Sequence, residues 1–235
     1  MSQAAPECTM PLHWLFPTPV LQEDLEPDAS TAAAMEAFLA QLDRTVYQHE
    51  RFSSRNNLTG DVLAELGMDQ LHRLGEFQWL NRQLAHYAGL FLETLIGPDH
   101  GLELHIQKAW SVICPSQGGE LDAHTHPNAQ LSAVFYVRTE PDNPTGQLEF
   151  QAPETYYSHS MTLPYAEAAV SGGVFAAQTH RLLIFPSDLR HRVTPYEGRS
   201  SRYSVSYDLA LTTPPGAGRE MQVPHPLDWV PLSLV

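Results

Sequence analysis

The sequence predicts a mainly β protein with supporting α-helices, folded as one jelly-roll domain over residues 1–235. Three observations lead there. From residue 104 onward, apolar residues alternate with polar ones in short runs broken by Pro, Gly, Asn and Asp, the pattern of half-buried strands. Upstream, two segments instead carry apolar residues three and four apart, which is helical spacing. The 235-residue length and 43% hydrophobic content suit one large β domain with helical additions.

Taken in order, residues 1–30 are rich in Pro and acidic side chains, with "LHWLFPTPVL" as a candidate edge strand. "STAAAMEAFLAQLDRTVYQHE" reads as a helix, with Ser30 or Thr31 as its cap and Met35, Phe38, Leu39 and Leu42 on one stripe. Glu36 is expected near the first turn, where a negative charge suits the helix dipole. "RFSSRNNLTGD" is a loop by composition. A second helix spans "LGEFQWLNRQLAHYAGLFLETLIG", with Phe77, Leu80, Leu84, Tyr87, Phe91 and Leu95 in register and Gly97 and Pro98 to stop it. The helices make residues 30–97 a support for a β core over 104–211. In that core "LHIQKAWSVI", "LSAVFYV", "GQLEF", "GGVFAAQ", "RLLIFP", "HRVTP" and "RYSVSYDLAL" are the strand-like runs. The Pro-rich stretch from Thr212 is expected on the surface.

Composition narrows the function. A net charge of −14 with only 13 Lys and Arg and no basic run argues against nucleic-acid binding, which needs clustered cations to neutralise phosphate. No run of about 18 apolar residues is present, so no membrane partner is expected. The N-terminal stretch has no basic region leading into an apolar core, so a cytoplasmic location is expected. Cys8 and Cys114 form no CxxC pair and read as reduced thiols.

The candidate chemistry starts at "GGELDAHTHPNAQLSAVFYV". Histidines two apart on a strand project to one face, where imidazoles can meet an ion at about 2.0–2.2 Å. Among 12 histidines one such pair is weak evidence. His191, 65 residues after His126 in "IFPSDLRHRVTP", opens a new strand and is placed to be a third ligand. In "SRYSVSYDLAL", Arg202, Ser204, Ser206 and Asp208 share one face and Tyr203, Val205, Tyr207 and Leu209 the other. The polar face is either solvent-facing or the lumen of the barrel. In a lumen, the planar fork of Arg202 and the hydroxyl of Ser204 suit a carboxylate.

The order His-x-His, a later His, then Arg-x-Ser eleven residues on resembles the Fe(II)- and 2-oxoglutarate-dependent oxygenases. "LFPTPV", "AW", "HTHPNAQLSAVFYV", "GQLEF", "LLIFPSDLRHRVTP" and "RYSVSYD" look like a bacterial and phage subfamily of these enzymes. The likeness covers residues from about 12 to 211. It implies a double-stranded β-helix, cupin-like in build, that holds iron near one open end. His124, His126 and His191 would be the metal ligands. Arg202 and Ser204 would hold the far carboxylate of 2-oxoglutarate. The implied reaction converts 2-oxoglutarate and O₂ to succinate and CO₂ while hydroxylating a substrate C–H bond. One departure stands out: the family usually has a carboxylate where this chain has His126. Asp122 and Asn128 therefore compete with His126 for the third ligand position. Trp110, Tyr136 and Phe150 are candidate pocket walls, Asn128 and Gln130 candidate contacts, and Arg199 a rival to Arg202.

Two other readings compete. A cupin-like metalloenzyme with a three-histidine site and no need of 2-oxoglutarate would leave Arg202 and Ser204 without a task. A non-catalytic jelly-roll binding module would make the histidines incidental. For the oxygenase, the expected partner is a small-molecule substrate or a peptide, and the sequence names neither that substrate nor an oligomeric state.

Overall fold

A computed structural model describes residues 18–45, 63–116, 119–151, 173–218 and 222–232. Cys8, most of "LHWLFPTPVL", the 51–61 loop and residues 46–50 of the first expected helix lie outside them.

Two antiparallel sheets face one another. The larger runs, edge to edge, β1 (Leu21–Asp24), β7 (Arg181–Pro186), β4 (Leu131–Arg138), β9 (Arg202–Thr212) and β2 (Glu103–Cys114). The smaller runs β3 (Gly119–His124), β8 (His191–Tyr196), β5 (Leu148–Phe150) and β6 (Val174–Phe175). This is the jelly roll, or double-stranded β-helix. An edge strand near the start of the described residues, β1 on β7, shares only Leu21 with the expected stretch, most of which lies outside them. Sequence periodicity did not single out β3. Its residues are mostly half-buried, so they show no clean apolar alternation.

Side-chain alternation makes two cores from one sheet. Leu131, Ala133, Phe135 and Val137 of β4, Leu182 and Ile184 of β7, and Tyr203, Val205, Tyr207 and Leu209 of β9 point outward under the helices. Val134 and Tyr136, Leu183 and Phe185, and Trp110 and Val112 point inward between the sheets. The helices covering the outer face are α1 (Ala29–Thr45) and α2 (Gln78–Ile96). Met35, Leu39 and Leu42 of α1 and Leu80, Leu84 and Ala88 of α2 complete the outer core. Polar contacts tie the layers: Tyr203 donates to Asp43 Oδ2 at 3.0 Å, and Tyr207 to Asn81 Oδ1 at 3.3 Å.

Helix ends differ from expectation in two places. Asp28, not Ser30 or Thr31, caps α1: its Oδ1 accepts the Ser30 and Thr31 N–H groups at 3.0 and 2.9 Å. A carboxylate satisfies two orphan amides at once, which neither hydroxyl does. The Ser30 hydroxyl also donates to Asp28, and with the Thr31 amide it holds the carboxyl below its ordinary range. Because α1 starts at Ala29, Glu36 lies beyond the first turn and instead pairs with Arg138 Nη1 at 3.0 Å. Two 3₁₀ turns, Leu71–Arg73 and Gly75–Phe77, precede α2, and Gly97 stops it at φ +89°.

The turn between β8 and β9 needs a residue without Cβ. Tyr196 is fully buried and donates to Ser200 O at 2.7 Å. A Cβ at Gly198 would lie 2.0 Å from the Tyr196 hydroxyl and 2.2 Å from its Cζ. Gly198→Ala is expected to destabilise the protein by about 1–3 kcal/mol, the usual cost of overpacking, seen as a lower urea midpoint. Gly218→Ala, whose Cβ meets nothing within 4 Å, should leave the midpoint in place.

Candidate metal centre

Antiparallel pairing of β3 with β8 sets His124, the last residue of one, opposite His191, the first of the other. His126 is no longer on the strand, so alternation is not what aims it. The turn does so: the His126 N–H donates to Ser187 O at 2.8 Å, and its carbonyl accepts from Ala129 N–H at 3.2 Å. That anchors the chain after β3 to the turn between β7 and β8. The three rings meet with centroids 4.5 to 5.2 Å apart, and one ligand atom from each lies within 4.8 Å of the others.

Hydrogen bonds select which nitrogen faces inward. His124 Nδ1 is 2.7 Å from Asp122 O, and His191 Nδ1 is 2.8 Å from Leu189 O. A carbonyl only accepts, so both Nδ1 atoms carry the proton and both Nε2 atoms offer a lone pair. His126 Nδ1 lies 2.7 Å from Asp208 Oδ1, with the same consequence. Burial pushes His191 down to about 3. Burial also lowers His124, against the opposing bond to Asp122 O. Both rings are therefore neutral near pH 7, the state a metal needs.

Asp208 is fully buried. Burial pushes its carboxyl up, but the hydrogen bond from His126 and the Lys108 ammonium outweigh that, and the net shift is downward. Lys108 Nζ lies 3.0 Å from Oδ2 as an ion pair, and Oδ2 has no other hydrogen-bond partner among the described residues. A second group, Glu103, His105 and His225, also has ligand atoms in mutual reach. One nitrogen of each histidine is engaged: His225 Nδ1 accepts the Leu227 N–H at 3.1 Å, and His105 Nε2 faces Thr212 Oγ1 at 3.0 Å.

Residues 108–208 match the family described as "Putative 2OG-Fe(II) oxygenase", a span that contains all three clustered histidines and Arg202. That segment, 101 of the chain's 235 residues, is similar to the 2OG-Fe(II) oxygenases. Solved structures agree in fold. AviO1 from Streptomyces viridochromogenes Tue57 is 17% identical with a TM-score of 0.53, over 89% of this chain and 93% of that one. A prolyl hydroxylase from Trichoplax adhaerens, solved with a hypoxia inducible factor peptide fragment, is 15% identical with a TM-score of 0.51, over 80% and 83%. A Pseudomonas putida prolyl-4-hydroxylase is 16% identical with a TM-score of 0.50, over 82% and 88%. No curated protein sequence matches the chain.

An oxygenase of this superfamily uses Fe(II) and 2-oxoglutarate, and the residues present fit both. The histidine cluster opens into a cavity of about 320 Å³ whose wall includes Trp110, Tyr136, Arg202, Ser204 and Ser206. The polar face of β9 is thus the lumen. Arg202 is 1% exposed. One of its terminal nitrogens donates to Gly146 O and the other to Cys114 Sγ at 3.1 Å. Its Nε has no partner, and no carboxylate pairs with it among the described residues. A buried cation without a counter-ion is costly and fits an anionic ligand. Gly146 holds it from behind: a Cβ there would come within 3.2 Å of Arg202 Nη1, and its φ of +65° suits glycine. Tyr136, 5.3 Å under the guanidinium, keeps its phenol protonated through burial, against the lowering effect of Arg202. Ser204 lines the cavity too, but its hydroxyl donates to Val112 O at 3.1 Å.

The other candidates fall as follows. Arg199 is an exposed partner of Glu140 outside the cavity. Asp122 and Asn128 line the cavity, with the Asp122 carboxylate outside the histidine cluster. Gln130 accepts the Leu211 N–H instead. Phe150 packs against the His191 ring at 5.9 Å without lining the cavity. Cys114 is free, and burial pushes its thiol up despite Arg202 beside it. Sequence reasoning set Asp208 on the lumen face but gave it no task. The signal was there, since a carboxylate on a lumen-facing row needs a partner.

Burial of neutral His191 has a signed consequence. Unfolded, its pKa is about 6.5; folded, it is about 3. Below pH 6.5 the unfolded chain binds the extra proton, so stability falls as pH drops, by up to about 1.4 kcal/mol per pH unit from this group. The urea midpoint of the metal-free protein should drop between pH 7 and 5, and His191→Gln should flatten that slope.

Proposed function

We propose that this chain is an Fe(II)- and 2-oxoglutarate-dependent hydroxylase in which His124, His126 and His191 hold the metal through Nε2 and Arg202 anchors the far carboxylate of 2-oxoglutarate. The single observation that carries it is a buried guanidinium, short of a partner, in the same cavity as three clustered imidazoles. A three-histidine cupin chemistry without 2-oxoglutarate would leave that cation unexplained. When bound, Fe(II) couples conversion of 2-oxoglutarate and O₂ to succinate and CO₂ with conversion of a substrate C–H to C–OH.

The chain's own residues orient and shield. The Nδ1 bonds to Asp122 O, Leu189 O and Asp208 fix the three rings before metal arrives, which lowers the reorganisation that binding needs. Arg202 Nε supplies a free donor, and Tyr136 a protonated phenol, at the cosubstrate end. Ser204 is a lesser contact that must first turn its hydroxyl from Val112 O. Apolar walls from Val112, Val134, Leu148 and Val193 exclude water around the cosubstrate. The prime substrate, a small molecule or a peptide, enters where Lys108, Thr125, Pro127 and Asn128 line the cavity, because Lys108 is partly exposed and the other three are exposed.

Two outcomes test this. The iron-loaded protein should release succinate from 2-oxoglutarate slowly without a prime substrate, above the metal-free control; iron binding with no succinate at all would favour the cupin reading. Arg202→Ala should weaken 2-oxoglutarate binding by about 2–5 kcal/mol, some tens to thousands-fold, with iron affinity nearly intact. Arg199→Ala, at an exposed position, should change neither.

A further inference from the structure

The resemblance to the wider oxygenase family implies a ligand carboxylate where this chain has His126, yet here a carboxylate stands one hydrogen bond further out. We propose that Asp208 is a positioning residue that locks His126 as an Nε2 ligand and lends the metal the negative charge that a directly bound carboxylate would have supplied. The inference rests on His126 being a ligand, as read above.

Four observations converge on it. Asp208 is fully buried, although it lies on a strand whose polar face lines an open cavity. Its Oδ1 meets His126 Nδ1 at 2.7 Å and takes a second bond from Ser132 Oγ at 3.2 Å. Ser132 Oγ is 2.9 Å from Ser187 Oγ, and Ser187 O accepts the His126 N–H at 2.8 Å. One connected network therefore grips His126 by ring and backbone. Trp110 closes the ring's open face, stacked at 5.6 Å and 26°. Lys108 opposes the carboxylate's charge, but its side chain is 39% exposed while that of Asp208 is 1% exposed. Water screens the ammonium more than the carboxylate. A carboxylate behind a ligand imidazole makes its far nitrogen a stronger donor, and losing such a partner typically costs about 10–100-fold in metal affinity.

Purely structural burial of Asp208 predicts different behaviour, and Co(II) titration against a competing chelator separates the two. Asp208→Asn keeps the acceptor for His126 and removes only the charge. It should weaken Co(II) binding by roughly 10–100-fold, with the metal-free melting temperature little changed. In a His126→Asp background the charge is already on the metal. There Asp208→Asn should matter by no more than about twofold, the limit for uncoupled sites. Lys108→Met should tighten Co(II) binding, since it removes the opposing cation. An equal loss from Asp208→Asn in both backgrounds, no loss in either, or weaker binding in Lys108→Met overturns the proposal. If His126→Ala binds Co(II) as tightly as the wild type, the ligand reading itself fails, whatever Asp208→Asn does.

Discussion

Strand β9 can satisfy its two faces in only one register. Tyr203, Val205, Tyr207 and Leu209 complete the core under the helices, while Arg202, Ser204, Ser206 and Asp208 face the cavity. Side chains alternate along a strand, so a slip of one residue would drive four polar groups into the helix interface and four large apolar ones into the site. Hydrogen bonding on both sides, to β2 and β4, and the Tyr203 and Tyr207 hydroxyl contacts all enforce the same register. The helices thus reach the site's chemistry without touching it: they fix which residues of β9 face the lumen.

A second constraint acts at the open end. The histidines reach the cluster by two different means, strand pairing for His124 and His191 and a clamped turn for His126. What unites them is that each Nδ1 is engaged by an oxygen. Burial keeps His191 and His124 neutral, and the hydrogen bonds decide where the remaining lone pair points. Desolvation alone would leave the rings free to turn, and the hydrogen bonds alone would not keep protons off Nε2. The site needs both, which is why it lies inside the mouth of the sandwich and not on its rim.

Much of this was legible in the chain because short apolar or alternating runs, bounded by Pro, Gly, Asn and Asp, mark its strands. β4, β7, β8 and β9 follow period-two runs to within a residue, and α2 follows its apolar stripe. Legibility failed where burial is partial or the determining contact is distant. β3 has no strong pattern because its residues are mostly half-buried. The cap of α1 went to the hydroxyls because a carboxylate just upstream competes with them from two residues away. The convergence of His124 with His126 was expected from strand alternation, whereas the second histidine is aimed by a turn bonded to Ser187. The bond from His126 to Asp208 spans 82 residues, and no local pattern could pair them.

The two charged ends of the β9 lumen face are completed differently, and the difference orders the site. Taking a charge out of water costs several kcal/mol unless paired and hydrogen-bonded groups offset it. Asp208 meets His126, Ser132 and Lys108, so its end is largely complete within the chain. Arg202 at the other end has a carbonyl and a thiol for neighbours and an Nε with none. Neither neighbour carries a negative charge, because burial raises the Cys114 thiol and keeps it protonated. On the proposed reading, an anion entering the cavity would be drawn past the histidines toward Arg202 and not to Lys108, which Asp208 already occupies. A dianion with one carboxylate on Arg202 has its other end turned back toward the histidines. On the proposed reading, the polarity of a single strand would thus set the direction in which a keto diacid lies.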